Sequence, residues 1–122
     1  MLHVTDLSHA ADTAVIAANE ASRQILRRQG DDCVSARRVD FGFRRRRLFA
    51  ARPDQLRSDL EELGFVVLPG GARTRAEGDL ILTIQASPYA ADFDRLDSAA
   101  ARMAARAGWT STGWSAAVRE AV

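Results

Sequence analysis

Residues 35–49 read SARRVDFGFRRRRLF, and the middle of this stretch decides the fold class. Val39, Phe41 and Phe43 alternate with Asp40, Gly42 and Arg44. That is the two-residue period of a strand with one face in a core and one in solvent. Four consecutive arginines, Arg44, Arg45, Arg46 and Arg47, then carry the chain out of the apolar pattern before Leu48 and Phe49.

On the N-terminal side, residues 10–29 have the composition of an alanine-rich helix. Ala14, Ala18, Ala21, Ile25 and Leu26 are expected on its inner side. Asp12 suits the N-cap or the first turn, Arg27 and Arg28 suit the last turn, and Gly30 suits the left-handed stop. Asp31 and Asp32 form the next turn. Residues 1–9 carry no clear pattern.

On the C-terminal side, Pro53 opens a second helix, and Leu56, Leu60 and Leu63 share one face of it before Gly64. Residues 65–68 predict a short apolar strand, Pro69, Gly70 and Gly71 its break, and residues 72–78 a loop. Residues 79–86 predict another strand, with Leu80, Leu82 and Ile84 on one side and Ile81 and Thr83 on the other. Residues 92–107 predict a third helix whose buried stripe is Phe93, Leu96, Ala100, Met103 and Ala107. Gly108 ends it, residues 109–114 predict a last short strand, and residues 115–122 a tail.

The order is a helix followed by β-α-β-β-α-β. It predicts an α+β, ferredoxin-like βαββαβ antiparallel sheet with two helices on one face, plus the N-terminal helix. One domain spanning residues 1–122 is expected, with the helix at 10–29 and the core at 35–115. Hydrophobic residues make up 47 % of the chain, enough for a packed core. The basic residues number 17, all arginine, against 16 acids, for a net charge of +1. That balance is not the composition of a polyelectrolyte built for DNA. A single thiol, Cys33, fits a reducing compartment and reads as incidental. The chain has neither a membrane-length apolar run nor the pattern of a signal peptide, so a cytoplasmic protein without a membrane partner is expected.

Little in the chain suggests catalysis. His3 and His9 lack ligand spacing, so no metal is expected. Asp92, Asp94 and Asp97, like Asp59, Glu61 and Glu62, read as solvated helix faces rather than acid–base pairs. The glycines at 70 and 71 precede no helix, so they form no phosphate cradle, and no cofactor is expected. The arginine-rich stretch, from Arg37 and Arg38 through Arg44–Arg47 to Arg52, reads first as a solvated strand end guarded against edge pairing. Contact of Arg44, Arg45, Arg46 and Arg47 with an anionic partner such as RNA is the second reading. An RNA-recognition motif fits poorly, because residues 81–84 bring no aromatic to the third strand.

Several short signatures, in order and in spacing, resemble the regulators of ribonuclease activity B (RraB), inhibitors of ribonuclease E. They are Gly30 with Asp32; Arg38-Val39-Asp40-Phe41; the helix running into Gly64-Phe65-Val66-Val67; Gly78-Asp79-Leu80-Ile81; Phe93-Asp94; and Gly113-Trp114. The likeness covers residues 18–117. Thr112 and Ser115 stand where that family has Asp and Gly, and the family's acidic tail is missing. The resemblance implies a non-catalytic protein-binding regulator, with ribonuclease E or a related RNA-processing factor as partner. It also implies structural or interaction roles for Gly30, Asp32, Asp40, Phe41, Gly64, Phe65, Asp94, Gly113 and Trp114. An immunity-type protein-binding module or a small-molecule sensor on the same fold are the remaining readings.

Overall fold

The computed structural model describes residues 11–75 and 78–121. In chain order the elements are α1 (Thr13–Arg28), β1 (Arg37–Arg45), α2 (Pro53–Leu63), β2 (Val67–Thr74), β3 (Leu80–Ala86), α3 (Phe93–Arg106) and β4 (Trp109–Ala116). The four strands form one sheet in the order β2-β3-β1-β4, with every neighbouring pair antiparallel. The result is an α+β architecture of three helices and a four-stranded sheet among the described residues.

The alternation in β1 does what its period predicts. Val39, Phe41 and Phe43 are fully buried on one face, opposite Ile84, Leu82 and Leu80 of β3. Leu56, Leu60 and Leu63 of α2 and Phe93, Ala99, Ala100, Met103 and Ala104 of α3 complete the same cluster. Each large side chain of this kind contributes about 1.5–3 kcal/mol by leaving water. Phe41 lies at the centre, 5.0 Å from the Phe65 ring edge-on and 5.8 Å from Phe93. Trp109, wholly buried, donates its indole N–H to the Ala51 carbonyl at 2.8 Å.

Four expectations are corrected. The first is the strand at 65–68 with a loop after it. Phe65 packs in the core, and β2 runs straight through Pro69, Gly70 and Gly71 to Thr74. β2 is an edge strand, where a missing N–H is tolerated, and its register shifts between Val67 and Ala72, absorbing the break as a bulge. Gly71 is required there, since a Cβ would stand 2.8 Å from both the Leu68 and the Thr83 carbonyl oxygens.

The second correction is the inner side of α1. Asp12 does cap it, accepting the Ala14 N–H at 3.1 Å. Leu26 is buried as expected, but its buried companions are Asn19 and Arg23, while Ala14, Ala18, Ala21 and Ile25 are exposed. The helix docks by hydrogen bonds, which outrank the small area its alanines offer. The third is the tail: β4 continues to Ala116, and Glu120 then bridges back to Asp31. The fourth is the solvated reading of the acids on α3, because Asp97 is buried with Ser98, Ala99 and Ala100.

Candidate functional site

The residues singled out by the resemblance lie far apart in sequence, and several of them meet in space. Phe65, Phe41, Phe93 and Trp114 form a continuous run of ring contacts, the last being Phe93 edge-on to Trp114 at 5.1 Å. The Trp114 indole then donates to Asn19 Oδ1 at 2.8 Å. Asn19 Nδ2 donates in turn to Asp94 at 2.8 Å and to Asp97 at 3.0 Å. Arg23 closes this seam with a two-pronged pair to Asp94, at 3.0 and 3.1 Å, and a bond to the Pro88 carbonyl at 3.0 Å. The seam ties α1 to α3 and to the β4 edge. Asn19 and Arg23 carried no signal in the sequence, because an Asn and an Arg on an alanine-rich helix read as solvated positions.

The two acids of the seam are pushed in opposite directions. Burial raises Asp94, but Arg23 and Asn19 outweigh it and hold the carboxyl below its ordinary value. Asp97 is raised chiefly by burial, which outweighs the opposing Asn19 hydrogen bond, with a further small push from the Asp94 charge.

Gly30 and Asp32 belong to a second polar cluster. The Asp32 carboxylate accepts the N–H groups of Val34 and Ser35, both at 3.0 Å, and the Ser35 hydroxyl. Its neighbour Asp31 pairs with Arg37, and both side chains are almost fully buried. The Arg37 guanidinium holds the Asp31 carboxyl far below the usual carboxylate range, against burial and helped by the N–H groups of Arg119 and Cys33. Arg37 also reaches the Ala117 carbonyl at 3.1 Å. Asp32 N–H donates to the Arg119 carbonyl at 2.7 Å. The C-terminal segment is therefore clamped against the turn after α1. Cys33 sits beside this clamp, half-buried and with a left-handed φ of 64°.

The arginine-rich stretch does not form one surface. Arg37 is buried in the clamp, and Arg38 points to the opposite face of the sheet. Arg44 pairs with Asp79 at 3.3 Å, and Arg45 stacks 5.2 Å from the Trp109 ring centre. Arg46, Arg47 and Arg52 stand exposed around the turn that follows β1. A strand sends alternate side chains to opposite faces, and the end of β1 at Arg45 separates the remainder.

On the sheet face away from α2 and α3, Asp40 accepts the Thr83 hydroxyl and an Arg73 N–H at 3.4 Å. Two open hollows share Asp40. One, of about 350 Å³, is bordered by Arg38, Arg73, Thr83 and Ser115. The other, of about 220 Å³, is bordered by Arg75, Ile81, Thr112 and Trp114. Thr112 is the unpaired residue of a bulge opposite Gly42 and Phe43, and its hydroxyl occupies the space a Cβ on Gly42 would need. Gly113, with φ 99°, makes that bulge. Among the described residues no group of three or more His, Cys, Asp or Glu side chains is placed to hold a metal ion. His3 and His9 lie outside the described residues. Comparison with protein-family models, with curated proteins and with solved structures finds no match to this chain.

Proposed function

We propose that this chain is a non-catalytic regulator resembling RraB, which binds ribonuclease E or a related RNA-processing factor in the cytoplasm and modulates its RNA cleavage. The observation that carries the reading is the spatial convergence of the resemblance residues. Phe41, Phe65, Phe93, Asp94 and Trp114 share one contact network although they span most of the chain. Residues that recur together for a common fold are expected to touch in this way. The strand order β2-β3-β1-β4, with α2 and α3 contributing to one core, supports reading the fold as ferredoxin-like.

The surface we assign to the partner is the open sheet face. Arg38, Arg73 and Arg75 are exposed there around Asp40, and a shallow polar face of this kind suits a protein partner with acidic groups. The test is calorimetric titration of the purified protein against ribonuclease E from the same organism. Saturable binding near one to one is expected. Absence of heat and of co-elution at tens of micromolar removes the partner assignment.

A further inference from the structure

The turn after β1 holds two large apolar side chains out in solvent. Leu48 is 86 % exposed and Phe49 is 93 % exposed. They are adjacent and occupy the apex of a turn closed by the Ala50 N–H on the Arg47 carbonyl at 3.2 Å. The base of the turn is fastened. Arg46 and Arg47 N–H groups donate to the Gly108 carbonyl, Ala51 N–H to Ala107, and the Trp109 indole to Ala51. Gly108 lies so close beneath that a Cβ on it would stand 2.9 Å from Ala50 Cα. The turn is thus fastened at its base and holds Leu48 and Phe49 away from the core.

Along the chain, the charge between Asp40 and Asp54 has one sign. Between Phe41 and Pro53 the chain has five arginines, Arg44–Arg47 and Arg52, and no acid. Arg44 is committed to Asp79 and Arg45 leans on Trp109, which leaves Arg46, Arg47 and Arg52 flanking the tip. We propose that this knuckle is a peripheral docking element for an anionic lipid surface, with Leu48 and Phe49 entering the headgroup–acyl boundary and the arginines engaging lipid phosphates.

The size of the patch favours lipid over a protein groove. The other exposed large apolar side chains, Ile16, Ile25, Val34 and Val66, lie on other segments. Two side chains fall well short of the roughly 800 Å² per partner that a stable protein interface buries. A bilayer asks less, since a few apolar groups entering about 5–10 Å with a basic collar suffice for reversible binding. Leu48 also argues against nucleic acid, where stacking would use Phe49 and leave its neighbour exposed. Among the described residues no helix is long and apolar enough to cross a membrane, so the contact is superficial.

The test uses the full chain with vesicles of phosphatidylcholine alone or with one-third phosphatidylglycerol. Co-flotation with the anionic vesicles only is expected, weakening with salt. Phe49→Trp should show an emission blue shift on anionic vesicles, read as the difference from wild type. Arg46→Ser/Arg47→Ser should weaken binding about 25-fold, at about five-fold per arginine. Leu48→Ser/Phe49→Ser should weaken it at least about ten-fold. All these positions are exposed, so an unchanged melting temperature verifies folding. An unshifted Phe49→Trp spectrum, or wild-type binding by Leu48→Ser/Phe49→Ser, overturns the proposal. So does a Phe49→Trp response to single-stranded RNA with none to vesicles.

Discussion

Asn19 accepts the Trp114 indole N–H at 2.8 Å, joining the first helix to the last strand across 95 positions of chain. Its amide nitrogen spends both protons on Asp94 and Asp97. A buried amide with every polar atom used fixes one arrangement of the three elements around it.

Replacing Asn19 by Leu leaves the Trp114 N–H, Asp94 and Asp97 each short of a partner. The expected loss is about 2–4 kcal/mol, taking roughly 1–3 kcal/mol for each buried group left unsatisfied and allowing for relaxation. Urea unfolding followed by tryptophan fluorescence measures it. A loss below about 0.5 kcal/mol would mean that water replaces the amide at no cost.

The Asp31–Arg37 pair is the most deeply buried ion pair among the described residues. Arg37→Ala strands the Asp31 carboxylate and should cost about 3–5 kcal/mol. The double variant Asp31→Ala/Arg37→Ala should recover part of that, because no uncompensated charge remains. The difference between the two in denaturant midpoints checks it.

Asp31 and Asp97 titrate with opposite effects on stability. The folded value of Asp31 is lowered, so its contribution is present above the ordinary carboxylate range and is lost as pH falls below it. The folded value of Asp97 is raised, so the native state binds the proton more tightly than the unfolded chain. Stability therefore falls as pH rises from the ordinary carboxylate value through the raised one. Asp97→Asn should be stabilising relative to wild type at pH 7, with the gap closing on acidification. Chemical denaturation of both proteins from pH 4 to pH 8 shows the trend, and a gap that widens towards acid contradicts the assignment.

Gly71→Ala should destabilise by about 1–3 kcal/mol, since both obstructing atoms are backbone oxygens that cannot swing away. Gly70→Ala meets no neighbour but carries a φ of 70°, so its cost comes from strain alone. Thermal melts of the two variants, with Gly71→Ala melting lower, separate crowding from strain.

The core strands and the two core helices were legible because their side chains obey a single rule, apolar residues at the element's own period. Val39, Phe41 and Phe43 and the leucines of α2 needed nothing else. Two segments followed different rules. β2 holds its bonds through a Pro-Gly-Gly break because it lies at an edge, and the edge is a property of the whole sheet rather than of residues 67–74. The first helix turns Asn19 and Arg23 inward because Asp94, Asp97 and Trp114 wait there, more than seventy positions away. Periodicity within the helix cannot register such partners. The arginine-rich stretch was legible as unusual, but its dispersal over clamp, sheet face and turn depended on where β1 ends.

Charge reversal on the open face tests the assigned binding surface. Arg38→Glu/Arg75→Glu should leave the melting temperature unchanged within a few degrees and slow association with the ribonuclease several-fold, with a weaker salt dependence. Surface plasmon resonance at two ionic strengths reads this, and identical kinetics would move the interface elsewhere.

The most direct measurement is RNA cleavage by the source organism's ribonuclease E, followed while the purified protein is titrated in. The regulator reading predicts a cleavage rate that changes and then levels off once the protein matches the enzyme in concentration, with no RNA cut by the protein alone. Cleavage that stays constant up to a large molar excess, with no complex detected between the two proteins, would contradict it.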